Sequence, residues 1–270
     1  MLTLFRLPDL FILIIALSSL TVLSASINLD PTMAMRRASP LLFPAAAKHT
    51  ATVIFIHGLG DSGYGWASAV ENWRRRQRLD EVKFVLPHAP GIPVTASGGQ
   101  YMPGWYDIYA LSGDIRKNQD EKGVLQSRDY FYELIQAEIN AGIPASRIVL
   151  GGFSQGGAMS LFAGLTAKVK LAGIVALSAY LPLDSKFSEF VKENDHNRQT
   201  PVLMCHGDED QVVSFNFGKT TYEGLKKEGF DVTFKVYPDM GHSACIEELD
   251  EVEAFLRSRL PPQADKKSEL

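Results

Sequence analysis

The sequence predicts an α/β fold: a single domain with a mostly parallel central sheet and helices on both faces. Two observations carry this prediction. From Thr50 onward, short β-rich runs alternate with longer stretches of helical periodicity, and several of the short runs are apolar along their whole length. Strands that are buried on both faces have that composition. The predicted strands are Ala51–Ile56, Val82–Leu86, Arg147–Leu150, Ala172–Ser178, Pro201–Cys205 and Val232–Tyr237.

The predicted helices lie between and after these strands. Val124–Asn140 has apolar residues at helical spacing and is followed by Gly142 and Pro144, which end helices. A second helix closes at Gly224–Gly229, and the last one spans Glu247–Leu260. Two segments are predicted as surface excursions: Gly91–Gly104, which is too irregular for a strand or a helix and is expected to lie over one edge of the sheet, and Gly113–Gly123.

The two ends of the chain lack the alternation of strands and helices that predicts the folded domain. Phe11–Leu23 is an apolar run behind Arg6 and is followed by small residues, which is the layout of a secretory signal. The alternative is that translation begins at Met33 or Met35. We therefore separate residues 1–32 as an N-terminal apolar extension, residues 45–262 as the folded domain and residues 263–270 as a polar tail.

Charge and cysteine content exclude several classes of function. The formal net charge is −4 and the 27 basic residues are scattered, so nucleic acid is not expected as a partner. The two cysteines, Cys205 and Cys245, are too few for a disulfide framework and suit a reducing compartment, with a single bridge as the alternative. The sequence contains neither a CxxC pair nor an HExxH motif, so no metal site is predicted.

The strongest chemical signal is Gly152-Phe153-Ser154-Gln155-Gly156, which follows a predicted strand and opens a helix of small residues. This is the context of a nucleophile elbow, in which glycines flank a serine on a strained turn. The turn also places the hydroxyl near the positive end of the helix. Ser154 is therefore the predicted nucleophile, and an N-capping serine is the alternative.

A serine hydroxyl needs a base, and the base needs an orienting acid. His242 is the only histidine after the last predicted strand and lies just before the final helix. The acid should follow a strand between the two, where Asp208, Glu209 and Asp210 compete. We select Asp210 because it precedes apolar residues that should return to the core, whereas Asp208 suits a turn and Glu209 suits solvent. His206 is interpreted as a packed strand-end residue.

Acyl transfer also needs two N–H donors for the oxyanion of the tetrahedral intermediate. One donor belongs to the residue after the nucleophile, which is Gln155. The other is assigned to Leu59, in the glycine-containing turn after the first predicted strand. Base, acid and donors are all protein groups, so no metal or organic cofactor is required.

Together, these motifs resemble those of the acyl-protein thioesterases and their carboxylesterase and lysophospholipase relatives, and the resemblance covers about residues 45–262. It implies an α/β-hydrolase fold and the hydrolysis of thioester-linked palmitate from S-acylated proteins, with activity on simpler esters. A general carboxylesterase or lysophospholipase is the alternative. The resemblance also implies a protein of cytoplasm and nucleus, whereas a used signal peptide would direct it to the secretory pathway. The matching segments are His57-Gly58-Leu59-Gly60-Asp61-Ser62-Gly63 with Trp66, Pro87-His88-Ala89-Pro90, Met102-Pro103-Gly104-Trp105-Tyr106-Asp107, Gly151-Gly152-Phe153-Ser154-Gln155-Gly156-Gly157, Leu177-Ser178, Leu181-Pro182-Leu183, His206-Gly207-Asp208-Glu209-Asp210 and Gly241-His242-Ser243.

Three residues are candidates for contact with the acyl chain. Tyr180 stands where better-known members of the family have tryptophan, so it bears on the shape of the acyl tunnel. Met102 and Trp105 are candidate walls of an apolar groove, unless they only pin their loop to the core. There is no cysteine near Met33, so the N-terminal lipid anchor of some relatives is lacking.

A cluster of arginines, Arg74-Arg75-Arg76 with Arg78, is a candidate for transient contact with an anionic membrane surface. A solvated helix face is the alternative.

Overall fold

A seven-stranded sheet forms the centre of the fold. The computed structural model describes residues 37–110, 117–193 and 195–263. In chain order the strands are β1 (Leu41–Phe43), β2 (Ala51–Ile56), β3 (Val82–Leu86), β4 (Gly91–Val94), β5 (Gln100–Pro103), β6 (Ile148–Phe153), β7 (Gly173–Leu177), β8 (Val202–Gly207) and β9 (Val232–Tyr237). The large sheet has the order β1-β3-β2-β6-β7-β8-β9, and every neighbouring pair is parallel except β1 and β3.

Helices cover both faces of this sheet. Along β2, Ile54 and Ile56 belong to one core cluster, whereas Val53 and Phe55 belong to the other. The helices are α1 (Ala67–Arg75), α2 (Glu121–Asn140), α3 (Gln155–Leu165), α4 (Phe187–Glu193), α5 (Phe215–Lys227) and α6 (Ile246–Arg259), with short 3-10 helices at Gly63–Trp66, Thr95–Ser97, Ala145–Arg147 and Asp184–Lys186. The first cluster includes side chains from α2, α3, α4 and α5, and the second includes side chains from α1 and α6.

The predicted architecture, a mostly parallel sheet between two layers of helices, is confirmed. The six predicted strands correspond to β2, β3, β6, β7, β8 and β9, and the four predicted helices, including the one that the elbow opens, to α2, α3, α5 and α6. The sequence prediction missed β1, α1 and α4, which are short. The N-terminal extension, residues 1–32, and all but the first residue of the polar tail lie outside the described residues.

The prediction of an irregular loop over Gly91–Gly104 is wrong, because β4 and β5 form an antiparallel hairpin in which Ile92 lies opposite Met102. Gly98 and Gly99 adopt positive φ values of 66° and 81°, which lets the chain reverse between the strands. A two-stranded ribbon also tolerates proline at positions whose N–H faces away from the partner. The second predicted excursion, Gly113–Gly123, lies partly outside the described residues, and its residues 121–123 belong to α2.

The carboxyl ends of the parallel strands bring distant segments to one edge of the sheet. The N–H of Ser154, just after β6, donates to the carbonyl of Leu177 in β7 at 2.8 Å. The N–H of Ser178 in turn donates to the carbonyl of Cys205 in β8 at 2.8 Å. These bonds tie the ends of three adjacent strands together, so the turns that follow them are held close to one another.

Within residues 37–110, 117–193 and 195–263, no helix is both long enough and apolar enough to cross a bilayer.

Candidate active site

Ser154 sits on the tight turn between β6 and α3. Its backbone has φ 55° and ψ −122°, a sparsely populated conformation that a non-glycine residue adopts at a cost in free energy. A Cβ atom on Gly152 would lie 2.5 Å from the carbonyl carbon of Gly156, and one on Gly156 would lie 2.1 Å from the carbonyl oxygen of Ile56. Both flanking glycines are therefore required by close backbone packing. The Ser154 side chain makes no capping hydrogen bond to α3, which argues against the N-cap alternative.

The structure brings Ser154, His242 and Asp210 together in one line of hydrogen bonds. The Nε2 atom of His242 lies 2.9 Å from Ser154 Oγ, and its Nδ1 atom lies 2.7 Å from Asp210 Oδ2. A carboxylate only accepts, so the ring hydrogen is assigned to Nδ1 and Nε2 is left to accept the serine proton. The ring of Phe153 packs against the imidazole, with centroids 4.8 Å apart.

The carboxyl group of Asp210 is completely buried and well supplied with donors. Its Oδ1 accepts the N–H groups of Val212 at 2.9 Å and Val213 at 2.8 Å. Burial alone would raise the pKa of Asp210, but hydrogen bonds from His206 and His242, the charge of His242 and the Val213 N–H together hold that pKa well below its usual range. Asp210 is therefore ionised across the pH range in which a histidine base works.

The two competing carboxylates lie elsewhere. Asp208 is exposed, and its Oδ1 accepts the N–H of Asp239 at 2.8 Å, which supports the turn that leads to His242. Glu209 is exposed as well. Of the three acids in this segment, Asp210 alone contacts the histidine, because the turn after β8 directs its side chain inward.

The two predicted oxyanion donors flank the nucleophile. Within the described part of the chain, the backbone N–H groups of Leu59 and Gln155 donate to no protein acceptor, which leaves both free for a substrate oxygen. A Cβ atom on Gly58 would lie 3.2 Å from Ser154 Cβ, so the turn that carries Leu59 runs directly beside the serine. The N–H of Gly60 donates to the carbonyl of Pro103 at 2.7 Å, which fixes this turn against the hairpin.

The side chain of Gln155 has a role that the sequence analysis missed. Its Oε1 accepts the N–H of Trp105 at 2.8 Å, and its Nε2 donates to the carbonyl of Tyr106 at 2.7 Å. One buried amide thereby joins the start of α3 to the segment that follows the hairpin. No pattern in the sequence indicated this pairing, because the partners are about 50 residues apart and are backbone groups.

Trp105, which was predicted as a wall of the acyl groove, lies in the core. Its side chain is 2% exposed, its Nε1 donates to the carbonyl of His57 at 2.8 Å, and its ring packs on Tyr130 and Phe131. The cavity that Trp105 does line, about 250 Å³, includes none of Ser154, Asp210 and His242. The indole pins its loop to the core, as the alternative prediction stated, because its N–H finds a buried acceptor there.

The other two substrate candidates differ in exposure. Met102 is partly exposed, and its Sδ would lie 4.0 Å from a Cβ on Gly60, so it is placed beside the oxyanion turn. Tyr180 is 4% exposed, and its hydroxyl lies 3.1 Å from the hydroxyl of Tyr106. Met102 is thus accessible to a ligand, whereas Tyr180 is buried in the core.

The arginine cluster is largely engaged by the protein. Arg76 Nη1 lies 2.5 Å from Asp250 Oδ1 and 2.6 Å from Glu253 Oε2, and Arg78 lies 3.7 Å from the same glutamate. Arg74 donates to the carbonyl of Pro44 at 2.9 Å. These contacts favour a role in holding neighbouring segments of the protein together over a patch of unpaired positive charge.

Several acids and histidines lie near one another in the active site, as they do in metal sites. Across the three described stretches, no group of three or more His, Cys, Asp or Glu side chains is arranged to hold a metal ion.

Comparison with known proteins places this geometry in context. Residues 39–260 match the phospholipase/carboxylesterase family. Acyl-protein thioesterase 1 of Neurospora crassa is 63% identical over 242 residues, covering 87% of this chain and 99% of that protein. Acyl-protein thioesterase 1 of Gibberella zeae is 61% identical over 234 residues, covering 86% of this chain and 100% of that protein.

Solved structures show the same similarity. The crystal structure of Zea mays acyl-protein thioesterase 2 has a TM-score of 0.73 at 30% identity and covers 82% of this chain and 98% of that chain. The structure of Arabidopsis thaliana SOBER1 has a TM-score of 0.72 at 32% identity and covers 78% of this chain and 99% of that chain.

Proposed function

The chain belongs to the phospholipase/carboxylesterase family, and from that premise we propose that it is an acyl-protein thioesterase. It is a serine hydrolase that removes thioester-linked palmitate and other long acyl chains from protein cysteines, with side activity on acyl esters. One observation carries the chemistry. Ser154, which lies on a strained turn, is 2.9 Å from His242, and His242 is 2.7 Å from Asp210. The names of the relatives at 63% and 61% identity supply the substrate class.

In the first half of the reaction, Ser154 Oγ attacks the carbonyl carbon of the thioester while His242 Nε2 takes the hydroxyl proton. The carbonyl oxygen becomes an oxyanion, which the N–H groups of Leu59 and Gln155 stabilise. Asp210 stabilises the imidazolium that has formed. When the intermediate collapses, the C–S bond breaks, His242 returns the proton to the thiolate sulfur, and the acyl group remains on Ser154 as an ester.

In the second half, water replaces the thiol. His242 removes a proton from the water as its oxygen attacks the acyl ester, and the same two N–H groups stabilise the second oxyanion. The C–O bond to Ser154 then breaks, His242 returns the proton to the serine oxygen, and the fatty acid leaves. Water is therefore the only co-substrate that the reaction needs besides the acylated protein.

We also propose that the protein acts in the cytoplasm and nucleus. Cys205 and Cys245 are both free thiols, which fits a reducing compartment. Imaging of the full chain with a C-terminal fluorescent tag tests this location. Tagged protein in the secretory pathway or the medium would contradict it and indicate that the N-terminal apolar segment is a used signal.

The test of the activity is steady-state hydrolysis of a palmitoylated peptide thioester by the full chain and by its Ser154→Ala variant. We expect the wild type to release palmitate and the variant to lose this activity by several orders of magnitude. An Asp208→Asn variant is the matched control, because this acid lies in the same turn and does not contact His242.

An acetyl ester measured in parallel separates the proposal from the competing function. Cleavage of the acetyl ester without cleavage of the palmitoyl thioester would make the protein a short-chain carboxylesterase. Equal loss of both activities in Ser154→Ala, with the thioester preferred by the wild type, supports the thioesterase.

A further inference from the structure

His206 is a buried histidine that the mechanism above does not use. It lies near the end of β8, four residues before the catalytic acid, and is 0% exposed. Its ring packs edge-on against Phe215 and Phe234, with centroid distances of 6.0 Å and 6.5 Å. The ring is therefore held in one orientation by an aromatic cage.

The two ring nitrogens of His206 have different surroundings. Nε2 lies 2.8 Å from the carbonyl oxygen of Val213 and 3.3 Å from Asp210 Oδ2, and both of these oxygens only accept. The ring hydrogen is therefore on Nε2. Nδ1 is buried and has no hydrogen-bond partner within the described residues, so a hydrogen there would be an unsatisfied donor.

Gly218 of α5 makes the space for this ring. A Cβ atom on Gly218 would lie 2.4 Å from Nδ1 and 2.9 Å from Cε1 of His206. A rigid imidazole cannot yield as a flexible side chain would, so any larger residue must displace the ring or the helix. Gly218 therefore contacts the Nδ1 side of the ring, whereas Asp210 lies on the Nε2 side. A larger residue at position 218 would move the ring without touching Asp210.

We propose that His206 is a positioning residue for the catalytic acid. Its Nε2 donates to the carbonyl of Val213 and lies 3.3 Å from Asp210 Oδ2, the oxygen that also accepts the Nδ1–H of His242. The N–H of Val213 in turn binds Oδ1 of the same carboxylate. One ring thereby restrains both oxygens and keeps the carboxylate in line with the imidazole of His242. This inference rests on the proposed triad, not on the choice of acyl substrate.

The first test displaces the ring without touching the reacting groups. We expect Gly218→Ala to lower kcat by about 10- to 100-fold with little change in KM, because small misplacements of catalytic groups cost this much. The matched control is Gly224→Ala in the same helix, where a Cβ meets nothing within 4 Å. The control should keep its kcat and gain slightly in stability, since alanine favours helices over glycine.

The second test removes the N–H itself. His206→Phe keeps an aromatic ring in the cage without the donor, and His206→Gln restores an N–H on a side chain of similar reach. We expect the Phe variant to lose kcat and the far-downfield proton resonance of the His242–Asp210 hydrogen bond, and the Gln variant to recover part of both. Circular dichroism and thermal unfolding verify that each variant is folded.

Both tests use a short acyl ester and the inactivation rate by a fluorophosphonate probe, so their results do not depend on thioester preference. The proposal is overturned if a folded His206→Phe protein keeps its kcat, probe reactivity and downfield resonance. It is also overturned if His206→Gln is as impaired as His206→Phe, or if Gly218→Ala behaves like Gly224→Ala.

Discussion

Asp210 and Glu248 are both buried carboxyl groups, but their surroundings are opposite. Asp210 accepts hydrogen bonds from two backbone N–H groups and from His242, and its pKa is held below the usual range. Glu248, in the first turn of α6, is 0% exposed, and neither carboxyl oxygen has a hydrogen-bond partner in the described part of the chain. Burial raises the pKa of Glu248 to about 8.

The difference shows that burial by itself does not decide whether a carboxyl group carries charge. Desolvation disfavours the ionised form in both regions, and at Asp210 the hydrogen-bond donors and the charge of His242 reverse this effect. At neutral pH the first region therefore holds a fixed negative charge that can stabilise an imidazolium. The second region holds a mostly neutral acid that contributes no charge to catalysis.

Of the changes that test this contrast between Asp210 and Glu248, removal of the Asp210 charge should have the largest effect, and that effect is on kcat. We expect Asp210→Asn to lower kcat by about 10⁴-fold, because the amide can donate to His242 and select the wrong tautomer. Steady-state kinetics on the acyl ester measure it. Asp208→Asn should stay within about twofold of wild type, since its loss affects a surface turn. A large effect at Asp208 instead would show that the acid is wrongly assigned.

The second effect concerns Glu248, whose folded pKa lies above the unfolded value of 4.5. A raised carboxyl pKa means that the folded state holds its proton more tightly, so stability is lost as pH rises from about 4.5 to about 8. The cost above pH 8 is on the order of 5 kcal/mol. Glu248→Gln cannot ionise and should remove this pH dependence.

Urea unfolding of the wild type and of Glu248→Gln at pH 5 and pH 9 measures that change. The variant should be the more stable protein at pH 9, and the two should be closer at pH 5. Parallel pH profiles for the two proteins would show that Glu248 does not titrate in this range.

The third effect uses a buried carboxylate whose partner is a cation. Glu138 lies at the opposite edge of the sheet, where its oxygens are 2.6 Å from Lys83 Nζ and 2.7 Å from Thr52 Oγ1. We expect Lys83→Met to destabilise the fold by about 2 kcal/mol, because it leaves a carboxylate short of a charged donor. Activity per folded molecule should not change. A loss of kcat without a loss of stability would contradict the prediction that this ion pair supports the fold and does not influence the active site at the other edge of the sheet.

The smallest effect concerns a neutral pair, the hydroxyls of Tyr106 and Tyr180 at 3.1 Å. We expect Tyr180→Phe to cost about 1 kcal/mol, since it leaves the buried Tyr106 hydroxyl without its partner. The double variant Tyr106→Phe/Tyr180→Phe should recover part of that loss, because no unpaired hydroxyl remains. A double-mutant cycle of unfolding free energies measures the coupling, and strictly additive losses would contradict it.

Much of the molecule could be predicted from local patterns. Apolar runs located β2, β3, β6, β7, β8 and β9, because strands buried on both faces leave little room for polar residues. The hairpin of β4 and β5 was missed because its pairing depends on where Gly98 and Gly99 reverse the chain, and its short segments carry no alternation to read. The burial of Trp105 was left open because it depends on an acceptor, the carbonyl of His57, that lies 48 residues away.

The sequence by itself determined the class of fold and the candidate nucleophile, since the elbow around Ser154 requires glycines at set local positions. Only the tertiary structure decided which of three neighbouring acids meets His242, that His206 lies 3.3 Å from Asp210, and that neither oxygen of Glu248 has a donor among the described residues. The physical reason is the distance along the chain over which each property is determined. Backbone strain and strand composition depend on a few consecutive residues, whereas the charge of a buried carboxyl group depends on donors that separate strands and helices bring to it.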